Sequence, residues 1–195
     1  SSQALGTGYM CGFLGLLHLE IIQERLEREF NIDLISTIPS VQYRIDLTTK
    51  DMSKLDNVNT SRLDDEGYLQ TRMASEFPDQ SLINKELEPW VKLEVFTPEE
   101  YIGSVMELCQ ENRGEYKSME FTTNSEVAGL KHAVIKYNIP TGEILVNFFD
   151  KLKSLTRGYA SMDYDFLEYR KADIVKVSIL INNEKAEALT FLCHR

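Results

Sequence analysis

Cysteine is scarce and scattered: Cys11, Cys109 and Cys193 lie far apart, and no C-x-x-C pair occurs. This spacing supports neither a disulfide framework nor an all-cysteine zinc site, and it predicts reduced, buried thiols in a cytosolic protein. Histidine is as sparse. His18, His132 and His194 stand apart from one another and from the cysteines, so each is expected as a surface or hydrogen-bonded residue rather than a ligand or general base. No apolar run approaches the roughly 20 residues that span a bilayer, and the N-terminus lacks the charged and apolar regions of a secretion signal. The sequence contains no G-x-x-x-x-G-K-[ST], G-x-S-x-G or H-E-x-x-H, the signatures of phosphate loops, serine hydrolases and zinc proteases. Excess positive charge is missing too. The formal net charge is -10, so any nucleic-acid contact must be local rather than driven by the field of the whole molecule.

What is present is a repeated pattern. Val91, Leu93 and Val95 alternate as in a strand, and Thr97-Pro98-Glu99-Glu100 reads as a capping box with Pro at the first helical position. Ile102, Val105, Leu108 and Cys109 carry an apolar stripe, Asn112-Arg113-Gly114 ends the helix, and Tyr116 to Phe121 is a strand. The order recurs downstream. Ala133, Ile135, Tyr137 and Ile139 alternate. Beyond Pro140, Ile144, Leu145, Phe148, Phe149, Leu152 and Leu155 line one face of a single helix ending at Arg157-Gly158, where Gly158 suits a left-handed cap. Ala160, Met162, Tyr164 and Phe166 then face a core. Two β-α-β units in tandem predict a ferredoxin-like α+β domain over 89–170.

Upstream, Gly6, Gly8, Gly12 and Gly15 have the wrong spacing for a dinucleotide fingerprint and read as a glycine-bearing strand and turn. Leu16 to Phe30 is a helix with Leu19, Ile22, Leu26 and Phe30 on its buried face, a Glu24–Arg28 pair and Asn31 at its end. Leu34 to Leu47 alternates, so 1–47 reads as one β-α-β unit, half a domain. Residues 48–88 lack periodicity and are rich in Asp, Glu, Asn, Ser and Thr, as in Asp64-Asp65-Glu66-Gly67. They are expected to be an acidic linker or long surface loop, with Glu88-Pro89 opening the next domain. In 171–195, Val175 to Ile181 and Leu189 to Cys193 alternate about a turn at Asn182-Asn183, a C-terminal β-hairpin. The absence of an initiator Met before Ser1 and the stop directly after a strand suggest a piece of a longer chain.

The chemistry-bearing groups are cations at the helix ends: Arg113 and Lys117 at the first, Lys151, Lys153 and Arg157 at the second. The two helices are expected to lie on the same side of the sheet and run roughly alike, so these cations form one rim, and with Tyr159 the rim suits phosphate and exposed bases of structured RNA. Compensation of the helix dipoles accounts for the same cations equally well. Asp163 and Asp165 share a strand face without a catalytic partner and read as solvated surface.

The stretches Gly15-Leu16-Leu17-His18-Leu19-Glu20 with Gln23-Glu24-Arg25-Leu26, and Phe148 to Ser161 through Thr156-Arg157-Gly158-Tyr159, resemble the LepA (elongation factor 4) family of translational GTPases. Elongation factor G differs at both places. Tyr101-Ile102-Gly103, Arg113-Gly114 and Ala188-Leu189 are similar as well. The resemblance implies the second half of domain III, then domain V, then the first hairpin of the family's own C-terminal domain. It further implies a ribosome-dependent GTPase associated with back-translocation of tRNAs. GTP and magnesium would sit on an N-terminal domain outside this chain, with no cofactor on the chain itself. Partners would be large-subunit ribosomal RNA, the small-subunit decoding region and, through the C-terminal domain, tRNA. The location would be cytoplasmic, or peripheral at the inner membrane. Lys153, Arg157, Gly158 and Tyr159 match the domain V motif and are expected at ribosomal RNA. His18 and Glu20 match the domain III helix and are expected in packing or interdomain contact. The segments 48–88 and 124–132 are longer than the family pattern. The rival reading is a free-standing ferredoxin-like regulatory module that binds a small ligand or protein partner.

Overall fold

The computed structural model describes residues 9, 11, 16–32, 34, 41–49, 60–122, 131–145, 147–185 and 190–195. The glycine-bearing stretch therefore lies outside the described residues apart from Tyr9 and Cys11, as do 50–59 and 123–130. The chain divides into two compact units, 1–39 with 177–190 and 40–176 with 191–195.

The described part of the smaller unit contains helix α1 (Leu16–Phe30). Glu24 and Arg28 pair as expected at 2.6 Å, and Arg25 pairs with Glu29 at 3.0 Å. Asn31 ends the helix at φ 52°, its amide donating to the Glu27 carbonyl. Leu19, Ile22 and Leu26 are half-buried, whereas Phe30, expected on the buried face, is exposed.

In the larger unit, β1 (Tyr43–Leu47), β2 (Leu69–Thr71) and β3 (Ile83–Pro98) are followed by α2 (Ile102–Glu111), β4 (Glu115–Thr122) and β5 (His132–Pro140). Helices α3 (Thr141–Leu145) and α4 (Phe148–Leu155) lead to β6 (Ser161–Ala172). Around the central strand β3 the order is β4-β5-β3-β6, every pair antiparallel. That is the ferredoxin-like arrangement of two β-α-β units. Its core holds the residues the alternation selected: Val91, Leu93 and Val95 against Ile135, Tyr137 and Ile139, roofed by Val105, Leu108, Phe148 and Leu152.

Several expectations fail. Tyr43–Leu47, expected as part of a half-domain over 1–47, hydrogen-bonds to the first residues of β3 and extends the same sheet. The described part of the supposed linker, 60–88, is folded. Leu63, Leu69, Phe77 and Ile83 pack with Tyr43, Ile45 and Ile174 in a second core. The Asp64 to Gly67 run is a tight turn: the Asp64 carboxylate accepts the amides of Glu66 and Tyr68, and Gly67 has φ 84°. The polar residues that read as linker are turn residues. Pro89 opens no domain, because it lies inside β3 where one neighbour changes from β1 to β5 and a ladder donor is dispensable.

The capping box is also absent. Thr97 is fully buried at the end of β3, its hydroxyl donating to the Pro98 carbonyl, and neither the 3-10 turn at Glu99–Tyr101 nor α2 has a side-chain cap. The single helix expected over 144–155 is two pieces, with Asn147 in the left-handed region between them. Ile144, Phe148 and Leu152 are buried, while Leu145, Phe149 and Leu155 face solvent. Tyr164 and Phe166 share a sheet face with Leu93 and Val91, yet both are exposed because β6 is the sheet edge.

β7 (Ile174–Val177) belongs to the larger unit apart from its last residue. The antiparallel pair β8 (Leu180–Ile181) and β9 (Glu184–Lys185) turns at Asn182 and Asn183, both at positive φ, as the hairpin reading requires. β10 (Phe191–His194) pairs with β7.

Burial sets an alkaline limit. It pushes the Cys109 thiol from 9.0 up to about 12, and the Tyr43 and Tyr137 phenols from 10.0 up to about 12. The neutral forms are favoured in the fold, so the unfolded chain loses protons first as pH rises. Their stabilising effect is complete below pH 9 and is lost between 9 and 12. The urea unfolding midpoint should therefore fall as pH rises through this window; a flat profile would contradict the burial of these groups. Of the three thiols, only Cys109 is buried; Cys11 is exposed and Cys193 half-buried.

Candidate nucleic-acid interface

Helices α2 and α4 end in the same way. After α2 the Gly114 amide donates to the Cys109 carbonyl at 2.7 Å and the Arg113 amide to Gln110 at 3.1 Å. After α4 the Gly158 amide donates to Lys153 at 2.7 Å and the Arg157 amide to Ser154 at 3.3 Å. Both are Schellman caps, and in both the left-handed position is held by Arg, at φ 60° and 51°. Gly158, expected to suit a left-handed cap, is left-handed at φ 84°, but it follows Arg157, which holds the first left-handed position.

The single basic rim does not exist. Because β3 and β5 are antiparallel, the helices that come after them run in opposite directions, and their C-terminal ends lie at opposite ends of the layer. The contacts obey this geometry: Arg113 at the end of α2 meets Glu143 in α3, and Tyr101 before α2 meets Tyr159 after α4.

At the first end the cations are neutralised. The Arg113 guanidinium is bidentate to buried Glu88, at 2.8 and 3.0 Å, and its Nε donates to Glu143 at 2.9 Å. Burial pulls its pKa down, but the hydrogen bonds and charges of Glu88 and Glu143 outweigh burial, and the net direction is up. Trp90 also donates to Glu88, at 3.2 Å. Lys117 pairs with Glu115 at 3.1 Å, and Arg170, lying over the Trp90 ring, holds Glu115 and Glu168. These are fold contacts, and Arg113 is withdrawn from the phosphate-binding candidates.

At the second end the cations are open. Lys151 and Arg157 make no ion pair among the described residues. Lys153 reaches back to the Gly158 carbonyl at 3.3 Å and sits 5.4 Å over the Phe149 ring, so dipole compensation accounts for part of its position. Thr156 locks the turn by donating to Leu152 at 2.7 Å and accepting the Ala160 amide at 3.1 Å. Tyr159 is 66% exposed. Nothing local in the sequence marks Tyr101 as the partner of Tyr159, because Tyr159 lies far downstream and only the antiparallel helix pair joins them.

The other candidates lie on other elements. On α1, His18 is half-buried and Glu20 exposed. His132 stacks on Phe96 at 4.9 Å. Asp163 and Asp165 are exposed opposite Glu94 and Lys92. Among the described residues no group of His, Cys, Asp or Glu could hold a metal ion, and no helix is long and apolar enough to cross a membrane. A shallow groove of about 340 Å³ beside β6, lined by Val41, Leu145, Tyr164, Phe166 and Tyr169, has Asp165 as the only charged residue among the described residues of its lining and does not suit phosphate.

Residues 85–180, which carry both helix ends, match the family described as Elongation factor G C-terminus. Elongation factor 4 of Streptococcus thermophilus strain LMD-9 is 48% identical over 195 residues, the whole of this chain. The chain belongs to the elongation factor 4 family. Elongation factor 4 of Streptococcus equi subsp. equi strain 4047 is 47% identical over the same span, as is that of Streptococcus pyogenes serotype M4. The chain covers 28% of the length of the first two relatives and 29% of the third. Membership in a translation elongation factor family agrees with the ferredoxin-like α+β fold and with the resemblance read from the two motif stretches.

Proposed function

We propose that this chain is a ribosome-binding portion of a ribosome-dependent GTPase that promotes back-translocation of tRNAs. It carries part of domain III through α1, domain V through the ferredoxin-like sheet, and the opening hairpin of the family's C-terminal domain. GTP and magnesium belong to a domain that this chain does not include, and tRNA contact belongs to the C-terminal domain. The chain's own task is positional: a rigid sheet and helix layer presents the turn after α4 to large-subunit ribosomal RNA.

The observation that carries this reading is the outward Arg157-Gly158-Tyr159 turn, with Lys151 and Arg157 unpaired among the described residues. Arg157 is free to place its planar fork on a phosphate, Lys151 and Lys153 add charge beside it, and Gly158 allows close approach of the backbone. Lys117, already paired with Glu115, has a lesser share. The test is binding of the chain to purified large ribosomal subunits across a salt series. Lys151→Gln/Arg157→Asn removes both charges, and Asn keeps the left-handed conformation accessible at 157. Binding should weaken, and the slope of log K against log salt should become shallower by about 1 for each cation. Unchanged affinity and slope would remove this turn from the ribosomal contact.

A further inference from the structure

Tyr101 and Tyr159 belong to different β-α-β units, yet their rings lie 6.3 Å apart between centroids with planes only 17° from parallel. Single exposed aromatics are ordinary on protein surfaces. A co-oriented pair is less so, particularly when one ring is two-thirds exposed and a cation stands two residues before it. Tyr159 comes after Arg157 and Gly158 in the locked turn, and Tyr101 is fixed by the 3-10 turn that opens α2. Neither ring is placed by a flexible loop. Glu100 and Arg157 both lie within electrostatic reach of the Tyr101 hydroxyl, with opposite signs.

We propose that Tyr101 and Tyr159 form a stacking platform for an unpaired nucleobase, with Arg157 holding the adjoining phosphate. This rests on the reading of the α4 turn as an RNA contact and makes it more specific. A paired helix offers phosphates and groove edges but no free π-face, whereas a loop or bulge offers an unstacked base. Two near-parallel rings, with Tyr159 the more exposed, offer such a base an aromatic face on which to extend their stack, and stacking tolerates any base because each has a π-face. The Glu100 carboxylate disfavours a phosphate over Tyr101, so the charge pattern places the base over the tyrosines and the phosphate over Arg157.

The test uses the whole chain with a stem-loop RNA carrying 2-aminopurine at one unpaired loop position, and a fully paired duplex of equal length. Tyr101→Leu and Tyr159→Leu keep apolar bulk but remove the π-face; Tyr101→Phe and Tyr159→Phe keep it. Each Leu variant should bind the loop RNA about tenfold more weakly with an unchanged salt slope, the Phe variants should bind it as tightly as the native chain, and duplex binding should not change. The native complex should change the 2-aminopurine fluorescence, and the Leu complexes should not. If Lys151→Gln/Arg157→Asn weakens loop binding while both Leu variants bind normally, the platform is overturned and the RNA contact stands. If neither class of variant affects binding, both are overturned. Urea midpoints identify any Leu variant that is merely unfolded, and an unresponsive probe in the native complex would overturn the platform without any variant.

Discussion

Arg113→Met should lower the unfolding free energy by about 3 kcal/mol, the low end of the cost of removing one partner from a buried ion pair. The reason is Glu88. Its side chain is 6% exposed and its charge is matched by the Arg113 guanidinium at 2.8 Å, whereas the Trp90 indole offers only a single neutral donor. Without Arg113 the carboxylate is left dehydrated and under-paired. Arg113 itself is 29% exposed, which tempers the loss and holds it to the lower bound. Met preserves the length of the stem and is no more strained than Arg at positive φ, so charge is the main thing removed. Glu88→Gln in the same chain should restore most of the loss, because a neutral amide needs no counter-charge. Trp90 is the single tryptophan of the sequence and touches Glu88, so its fluorescence during urea unfolding reports the site directly. A loss below about 1 kcal/mol would mean that Glu88 finds water when Arg113 is gone, and the internal role assigned to this arginine would fall.

The contrast between Arg113 and Arg157 also shows where reading the sequence stops. The tandem β-α-β pattern is visible because strand alternation and helix stripes are local, and Leu93, Ile135 and Leu152 are buried as their periodicity requires. The two Arg-Gly caps are visible for the same reason. What sends one arginine inward and the other outward is not local: Glu88 lies 25 residues before Arg113, and Glu143 lies 30 after it. No such carboxylates meet Arg157 among the described residues. The common rim fails at the same level, since helix direction depends on strand pairing and not on the helices' own residues. Residues 60–88 resemble a linker for a different reason: tight turns and disordered connections share a vocabulary of Asp, Glu, Gly and Asn. The packed Leu63, Leu69 and Phe77 are the available counter-signal, but they are too few and too irregularly spaced to show a period.

The two glycines after these arginines should separate just as clearly. Gly114→Ala should cost about 3 kcal/mol, the upper part of the range for overpacking a filled core. A Cβ at Gly114 would stand 2.6 Å from the Cys109 carbonyl oxygen and 3.1 Å from Cδ1 of Tyr137. The first is backbone, held by the hydrogen bond that closes the cap, and the second belongs to a ring that is 1% exposed and packed in the main core. Neither can yield without opening the end of α2 or shifting β5. Gly158→Ala meets no atom within 4 Å and suffers only the left-handed backbone at φ 84°, a cost of about 1 kcal/mol. Urea unfolding of the two variants tests the difference, and its sign is the informative result. If Gly158→Ala proved the more damaging, the turn after α4 would be held by contacts beyond its cap hydrogen bonds and Thr156. Its fitness as a free surface for RNA would then be in question. If Gly114→Ala is the more damaging, the end of α2 is a fold element, and the end of α4 keeps the freedom that binding requires.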